Sequence, residues 1–118
     1  MCGIVGYVGP QKAEEILLSS LSRLEYRGYD SAGIAILTPT GLRLIRQVGK
    51  IANLIQAVQE AKVTGNLGIG HTRWATHGLP TEENAHPHTD CTGRIALVHN
   101  GIIENHRELR AELVARGH

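Results

Sequence analysis

The chain has 118 residues, with 12 basic against 11 acidic side chains and a formal net charge of +1 when histidine is neutral. This near balance argues against a polyanion-binding surface, and we expect no nucleic-acid partner. Leucine, isoleucine, valine and phenylalanine make up about a quarter of the residues, above the ~20% below which disorder is expected. The apolar runs are far shorter than the ~18 residues of a membrane span, so we expect one globular domain without a membrane segment.

The number of cysteines and the N-terminal sequence indicate the cellular compartment. Cys2 and Cys91 are too few for a disulfide framework, and the N-terminus lacks the basic and apolar regions of a secretory signal. We therefore expect a cytoplasmic protein. Glycine is frequent, at 14 residues, whereas aromatic residues make up only 3%. Turns and close backbone approaches should matter more here than aromatic packing.

The first half of the chain predicts a strand, a helix and a hairpin. Residues 2–8 (CGIVGYV) form a β-branched apolar run typical of a strand buried on both faces. A helix beginning at Ala13 is indicated by apolar residues at helical spacing, namely Ile16, Leu17, Leu21 and Leu24. Residues 32–37 then predict a strand buried on both faces and residues 42–48 a more exposed strand, joined by a short turn.

The second half predicts a helix, two strands and a last helix. The apolar spacing between residues 51 and 58 indicates an amphipathic helix that Gly65-Asn66 ends, and residues 67–73 predict a strand. Residues 74–94 have no period and carry many polar groups. Residues 95–100 again predict a buried strand, and a helix follows at about 104–116. The predicted order is β-α-β-β-α-β-β-α, without an internal repeat.

Cys2 is the first candidate for chemistry. Removal of Met1 would leave a cysteine that carries both a thiol and a free α-amine, so that nucleophile and base belong to one residue. An α-amine with a reference pKa of about 7.7–8.0 is partly neutral near pH 7–8 and can take the thiol proton. Gly3 leaves room beside the thiol for a substrate carbonyl. The alternative is a small buried hydrophobe at the end of a strand.

A second candidate group is the segment RWATHG (73–78), which follows a predicted strand. The guanidinium of Arg73 is suited to gripping a carboxylate through two parallel hydrogen bonds. Thr76 and His77 can add polar contacts, and Trp74 can serve as a flat wall or lid. The alternative is a surface loop with a solvated arginine and a tryptophan that covers a core edge.

Asn100-Gly101 is a third candidate. At the end of a strand, a side-chain amide N–H and an unhindered backbone N–H can converge on one oxygen, as an oxyanion hole requires. The alternative is a plain turn, for which Asn-Gly is a common dipeptide.

The histidine-rich segment HPHTDC invites comparison with metal sites. His86, His88 and Cys91 could be joined by His71, His77 or Asp90 as a fourth ligand, but their spacing matches no standard zinc pattern. Histidines that make hydrogen bonds in a loop fit equally well, and we expect no metal.

Five segments together resemble one enzyme family, the glucosamine-6-phosphate synthases, which are isomerising glutamine:fructose-6-phosphate amidotransferases. The resemblance is to their N-terminal glutaminase domain and covers essentially the whole chain in order. The segments are CGIVGY (2–7), RLEYRGYDSAGIA (23–35), GHTRWATHG (70–78), NAHPH (84–88) and VHNGIIEN (98–105). The CGI and HNG motifs occur across class II amidotransferases, whereas RLEYRGYDSAG with HTRWATHG is typical of the sugar-phosphate branch.

The resemblance implies an α+β fold, the four-layer αββα sandwich of N-terminal-nucleophile hydrolases. It implies that Cys2 attacks the γ-amide carbon of glutamine and forms a γ-glutamyl thioester, releasing ammonia and then glutamate. Asn100, through its amide, and Gly101, through its backbone N–H, would form the oxyanion hole. Arg27 and Gly28 would support the loop beside the nucleophile.

The resemblance also implies a binding set for glutamine. Arg73 would bind the α-carboxylate, helped by Thr76 and His77, and Trp74 would lie on the loop that closes over the substrate. No cofactor is implied. Fructose 6-phosphate would bind only to isomerase domains that are absent here, and the full-length enzyme would be a homo-oligomer.

The chain is shorter than the family's glutaminase domain, so we expect residues 1–118 to form the N-terminal part of an incomplete sandwich. The family's acidic residue for the glutamine amino group lies beyond His118, and neither Asp30 nor Asp90 matches it. Two readings stay open besides the enzyme module. One is an inactive fragment or binding module, and the other is the glutaminase domain of a different class II amidotransferase.

Overall fold

A four-stranded antiparallel sheet forms the centre of the fold. The computed structural model describes residues 2–75 and 78–118 of the chain. The strands are β1 (Gly3–Val8), β2 (Ser31–Thr38), β3 (Gly41–Val48) and β4 (Leu67–Arg73). They lie in the order β1-β4-β2-β3, so that β4, although last in sequence, pairs with both β1 and β2. The predicted hairpin is confirmed, since β2 and β3 pair from Ser31↔Val48 to Thr38↔Gly41.

Two helices cover one face of this sheet, which we call the first face. They are α1 (Ala13–Arg23) and α2 (Ile51–Ala61). Their apolar sides form the core together with alternate residues of β2, and the largest of these buried side chains are Leu17, Leu21, Ile34, Ile36 and Leu54. The sequence predicted that α2 continues to Gly65, but it ends earlier because Lys62 adopts a left-handed backbone conformation with φ of 52°.

Glycines in β4 allow α1 to lie close to the sheet. A Cβ atom at Gly68 would be 2.8 Å from the side chain of Leu17, and one at Gly70 would be 3.2 Å from that of Leu21. Larger residues at these positions would require the two leucine side chains of α1 to shift.

The opposite face, which we call the second face, is covered at one end only. Gly33, His71 and Arg73 lie there under residues 84–88, where Ala85 and Pro87 are buried. A Cβ atom at Gly33 would lie 2.2 Å from the carbonyl oxygen of His86, so this segment needs a glycine beneath it. The segment of the chain without periodicity therefore packs on the sheet and forms the roof of the candidate site.

The other end of the second face is exposed. Its apolar side chains are those of Val8, Leu37 and Leu67, and Ile4, which pairs with His71 on the edge strand β1, is also half-exposed. The prediction of a strand buried on both faces is correct for β2, in which residues 31–36 are all buried, and wrong for β1. The reason is alternation: every second side chain of β1 points to the second face, where the described residues leave Val8 76% exposed.

A second, two-stranded sheet and a last helix complete the described chain. The strands are β5 (His88–Thr89) and β6 (Ala96–Leu97), and the helix is α3 (His106–Ala115). The predicted buried strand at 95–100 is wrong in extent and burial, because only two of its residues pair and Leu97 is exposed. No helix among residues 2–75 and 78–118 is long and apolar enough to cross a membrane.

Candidate active site

Cys2 lies directly before β1, against the end of β4. The backbone N–H of Trp74 donates to its sulfur at 3.3 Å, and the thiol lies 3.8 Å from the carbonyl oxygen of the same residue. The next residue is also fixed to β4, because the N–H of Gly3 donates to the hydroxyl of Thr72 at 3.1 Å. A Cβ at Gly3 would lie 2.6 Å from Leu24. The half-buried thiol therefore stands at a defined place on the edge of the sheet.

Arg73, the last residue of β4, extends beneath the roof segment. Its side chain is almost buried, with an exposed fraction of 8%. Its Nη1 donates to the carbonyl of Leu79 at 3.0 Å, and the side-chain amide of Asn84 donates to the same carbonyl at 2.9 Å. A guanidinium has five N–H donors in a planar fork, so this contact fixes its orientation while other donors face elsewhere.

Asp30 fixes the segment that follows β4. Its carboxylate accepts hydrogen bonds from the backbone N–H of Ala75 and, at 3.0 Å, from the hydroxyl of Ser31. Its own N–H donates to the carbonyl of Arg73 at 2.7 Å. Sequence reasoning assigned no role to this residue. The sequence feature that could have indicated its role is its position directly before a buried strand. A carboxylate there can accept hydrogen bonds from a neighbouring loop.

Trp74 lies half-exposed beside the predicted support segment. Gly28 has a φ of 81°, and a Cβ atom there would be 3.5 Å from the indole ring of Trp74. Arg27 ends the short 3₁₀ turn Glu25–Arg27 that precedes this glycine and donates its backbone N–H to Leu24 at 3.1 Å. The structure thus brings the YRG segment next to the tryptophan. Two further binding candidates, Thr76 and His77, lie outside the described residues.

Asn100 and Gly101 come to the same edge from the far end of the chain. The side-chain Nδ2 of Asn100 lies 3.5 Å from the backbone carbonyl of Cys2. Its Oδ1 lies 2.6 Å from Nε2 of His71, which is a short hydrogen bond. Gly101 has a φ of 144°, and a Cβ atom there would be 3.3 Å from the ring of His99.

One cleft of about 640 Å³ connects these groups. It is lined by Cys2, Arg73 and Gly101 together with histidines and aliphatic side chains. These other lining residues are Asn84, His86, His88, Leu97, Val98, His99, Ile102, Ile103 and His106. The volume of the cleft suits a small molecule, and its lining combines polar groups with aliphatic side chains.

Three neighbouring histidine rings, which we call the histidine stack, include two that line the cleft, His86 and His88. The rings of His71 and His86 are stacked, whereas those of His86 and His88 are tilted by 55°. The ring centroids of His71 and His86 are 4.3 Å apart with an angle of 29° between planes, and those of His86 and His88 are also 4.3 Å apart. Burial lowers the pKa of all three. The pKa of His86 falls to about 3, first because of burial and then because of its neighbours His71, His88, Arg73 and His99. The stack is therefore neutral near pH 7.

Within the described ranges, no group of three or more histidine, cysteine or acidic side chains is arranged to hold a metal ion. The thiol of Cys91 lies apart from the cleft, with its sulfur 3.2 Å from Nδ1 of His118.

Comparison with known proteins gives close relatives for the whole chain. The chain is 64% identical over 118 residues to a glutamine--fructose-6-phosphate aminotransferase [isomerizing] of Thermus thermophilus, 60% to that of Streptomyces coelicolor and 58% to that of Pyrococcus horikoshii. It spans about a fifth of the length of these relatives. No protein-family model matches the sequence.

Two solved structures have the same fold over the whole chain. One is the glutamine phosphoribosylpyrophosphate amidotransferase of B. subtilis complexed with ADP and GMP, with a TM-score of 0.79 and 30% identity. The other is an allosteric regulatory enzyme of purine biosynthesis, with a TM-score of 0.80 and 31% identity. The chain covers 26% of each. The chain has the N-terminal-nucleophile hydrolase fold, as the sequence predicted, and resembles the N-terminal glutaminase part of a class II glutamine amidotransferase.

Proposed function

We propose that this chain carries the glutaminase half-reaction of a class II glutamine amidotransferase, with Cys2 as the N-terminal nucleophile. The observation that carries the proposal is one cleft lined by Cys2, Arg73 and Gly101, with the amide of Asn100 beside the cysteine. A thiol, a cation for a carboxylate and donors for an oxyanion are the groups that hydrolysis of an amino-acid side-chain amide requires. Residues 1–118 form the N-terminal part of that domain.

The reaction begins at Cys2 after Met1 is removed. The neutral α-amine takes the thiol proton, and the thiolate attacks the γ-amide carbon of glutamine, forming a C–S bond as the carbonyl electron pair moves to oxygen. When this pair returns, the C–N bond breaks and the α-ammonium returns its proton to the departing ammonia. Water then attacks the thioester, the C–S bond breaks, and glutamate leaves with the thiol restored.

Asn100 and Gly101 stabilise the oxyanion. The Nδ2 of Asn100 lies 3.5 Å from the backbone carbonyl of Cys2, and Gly101 lines the same cleft as this cysteine, which supports the assignment. Hydrogen bonds to a developing negative charge in a partly buried site lower the barrier more than the same bonds to the ground-state carbonyl. Arg27 and Gly28 support the tryptophan segment beside the nucleophile.

Arg73 selects the substrate through its α-carboxylate. The guanidinium is buried and held at the edge of the cleft by the carbonyl of Leu79, which supports a fixed binding geometry. Thr76 and His77 add polar contacts to the same end of glutamine. Trp74 closes over the bound substrate from the segment that Asp30 holds.

The ammonia is transferred to fructose 6-phosphate at a site outside this chain. Identities of 58–64% to enzymes of that name, against 30–31% to the structures from purine biosynthesis, support this acceptor. The full-length enzyme is a cytoplasmic homo-oligomer that takes glutamine and the sugar phosphate, with no nucleic-acid partner and no resident metal or cofactor.

The test is glutamate and ammonia production by the full-length protein. We expect activity with glutamine, greater incorporation of nitrogen into fructose 6-phosphate than into phosphoribosylpyrophosphate, and complete loss of both reactions in Cys2→Ala. Cys91→Ala removes the other, exposed thiol and is the matched control. Turnover of glutamine by Cys2→Ala would reject Cys2 as the nucleophile. An inactive wild-type protein would favour the binding-module reading. Greater transfer of nitrogen to phosphoribosylpyrophosphate would reject fructose 6-phosphate as the acceptor.

A further inference from the structure

We propose that His71 is a positioning residue that fixes the side-chain amide of Asn100 with its N–H group toward Cys2. The proposal rests on the glutaminase function and deepens it, because it assigns a cause to the orientation of the oxyanion donor. In the sequence, His71 lies within a predicted strand and is considered only as a possible metal ligand, with no role beside Asn100.

The hydrogen bond itself determines which atom donates. Oδ1 of Asn100 can only accept, so Nε2 of His71, at 2.6 Å, carries the hydrogen. With its oxygen held in this way, the amide must present Nδ2 on the opposite side, and Nδ2 lies 3.5 Å from the carbonyl of Cys2. The orientation of one hydrogen bond therefore decides whether a donor or an acceptor faces the nucleophile.

The other ring nitrogen of His71 supports the same tautomer. Nδ1 is buried and has no hydrogen-bond partner among the described residues. If Asn100 were reversed, Nε2 would have to accept and the hydrogen would move to Nδ1, leaving a buried N–H without an acceptor. Orphaned buried N–H groups are rarer than orphaned acceptors, so the observed arrangement is the favoured one.

His71 is held more firmly than the side chain that it orients. It is fully buried in β4, between Ile4 of β1 and Gly33 of β2, and its ring stacks on His86 at 4.3 Å. Asn100, by contrast, is an exposed residue outside any helix or strand. The buried ring of His71 can thus fix the orientation of the exposed Asn100 side chain, as a catalytic site requires.

The kinetic test is a double-mutant cycle in the full-length protein with His71→Leu and Asn100→Ala. Loss of an oxyanion donor costs up to about 10²–10³-fold in kcat, and we expect His71→Leu to lower kcat at least about tenfold while KM changes less than about twofold. In the Asn100→Ala background the same substitution should have little further effect. His71→Gln, which keeps an amide donor, should recover part of kcat. Ile69→Val, two residues earlier on the same face of β4, is the control.

Multiplicative losses in the double variant, or a change in KM alone, would overturn the proposal. A second measurement does not depend on activity or on the folding of a variant: the ¹⁵N spectrum of the wild-type histidine should show hydrogen on Nε2 of His71. Hydrogen on Nδ1 would overturn the proposal even in an active enzyme. If instead the wild-type protein has this tautomer but does not hydrolyse glutamine, the glutaminase function fails while the hydrogen bond stands.

Discussion

The backbone N–H of Trp74 points at the sulfur of Cys2 from 3.3 Å. The proposed nucleophile and the residue proposed to close over the substrate are therefore joined by a main-chain contact. No side-chain substitution at Trp74 removes this contact, because the donor belongs to the backbone. Any movement of the tryptophan segment upon glutamine binding would therefore change the hydrogen bond to the thiol.

The first prediction concerns removal of Met1. A form that retains Met1 or an N-terminal extension has an amide in place of the α-amine, so Cys2 lacks its base. We expect a glutamine-mimicking electrophile to alkylate Cys2 far more slowly in this form than in the processed protein. Mass spectrometry of the labelled peptide measures the rate, and labelling of the exposed Cys91 by a simple alkylating agent is the internal control. Equal rates at Cys2 in both forms would contradict the α-amine mechanism.

The second prediction concerns Arg73. Arg73→Ala removes a charge-assisted contact to the α-carboxylate, which at roughly 1.5–3 kcal/mol corresponds to roughly a 10- to 150-fold loss of kcat/KM for glutamine. The matched control is Arg46→Ala. Arg46 also donates to loop carbonyls, those of Glu83 at 3.3 Å and Ala85 at 3.2 Å, but does not line the cleft. We expect it to lower the melting temperature with little change in kcat/KM, and equal kinetic losses in both variants would make the effect of Arg73 structural.

The third prediction concerns Asp30. Asp30→Ala removes both acceptor oxygens, so the N–H of Ala75 and the hydroxyl of Ser31 lose their partner. Since an unsatisfied donor costs about 1–3 kcal/mol when buried, we expect faster amide hydrogen exchange at Ala75 and lower glutaminase activity. Asp90→Ala is the control, because Asp90 accepts N–H groups of Arg94 and Ile95 in a turn outside the cleft. Unchanged exchange at Ala75 in Asp30→Ala would reject the role of this carboxylate.

The fourth prediction concerns pH and the histidine stack. Burial, followed by its charged and imidazole neighbours, lowers the pKa of His86 from 6.5 to about 3 in the folded protein. Between these values the unfolded chain binds a proton that the folded chain does not, so folding stability decreases as pH falls from about 6.5 toward about 3. Above about pH 6.5 the stack has no such effect. Burial acts in the same direction on His71 and His88.

Thermal unfolding of the 118-residue chain across this pH range measures the effect. His86→Gln should flatten the pH dependence relative to the wild type. His118→Gln changes an exposed histidine that contacts Cys91 and should leave the slope as it is. A wild-type slope retained in His86→Gln would show that other groups cause the acid sensitivity.

The central sheet could be predicted because its strands and helices have strong local patterns. The apolar positions of α1 and α2 recur at helical spacing, and these are the residues found in the core. The order of the strands could not be predicted, because pairing of β4 with β1 depends on contacts between residues far apart in sequence. The same limit explains why β5 was missed: two paired residues carry no detectable period.

The site was predicted only in part, for a similar reason. Cys2, Arg73 and Asn100 were proposed because their residue types and neighbouring residues indicate a chemical role. His71 and Asp30 were not, since each acts through a hydrogen bond to a residue far along the chain or in another element. Such partners become visible only when the fold brings β2, β4 and the later loops to one edge.

The last prediction concerns the exposed end of the second face. Leu37 and Leu67 are direct partners across β2 and β4, and their side chains are 50% and 44% exposed. A small cavity of about 240 Å³ lies beside them and reaches Arg94 and Ala96. Contiguous exposed apolar surface of this kind binds hydrophobic dyes or other chains. The 118-residue chain studied alone should therefore associate or bind a dye, with glutaminase activity near background.

Replacing both leucines by threonine tests the location of this surface. Threonine suits a strand, so Leu37→Thr with Leu67→Thr should keep the sheet while it removes apolar area from the second face. We expect dye fluorescence and self-association to fall in this double variant. Leu79→Thr, which changes an exposed leucine in the roof loop, should leave both unchanged. A monomeric wild-type chain that binds no dye and turns over glutamine fully would show that this face needs no cover, and the expectation of an incomplete sandwich would then be wrong.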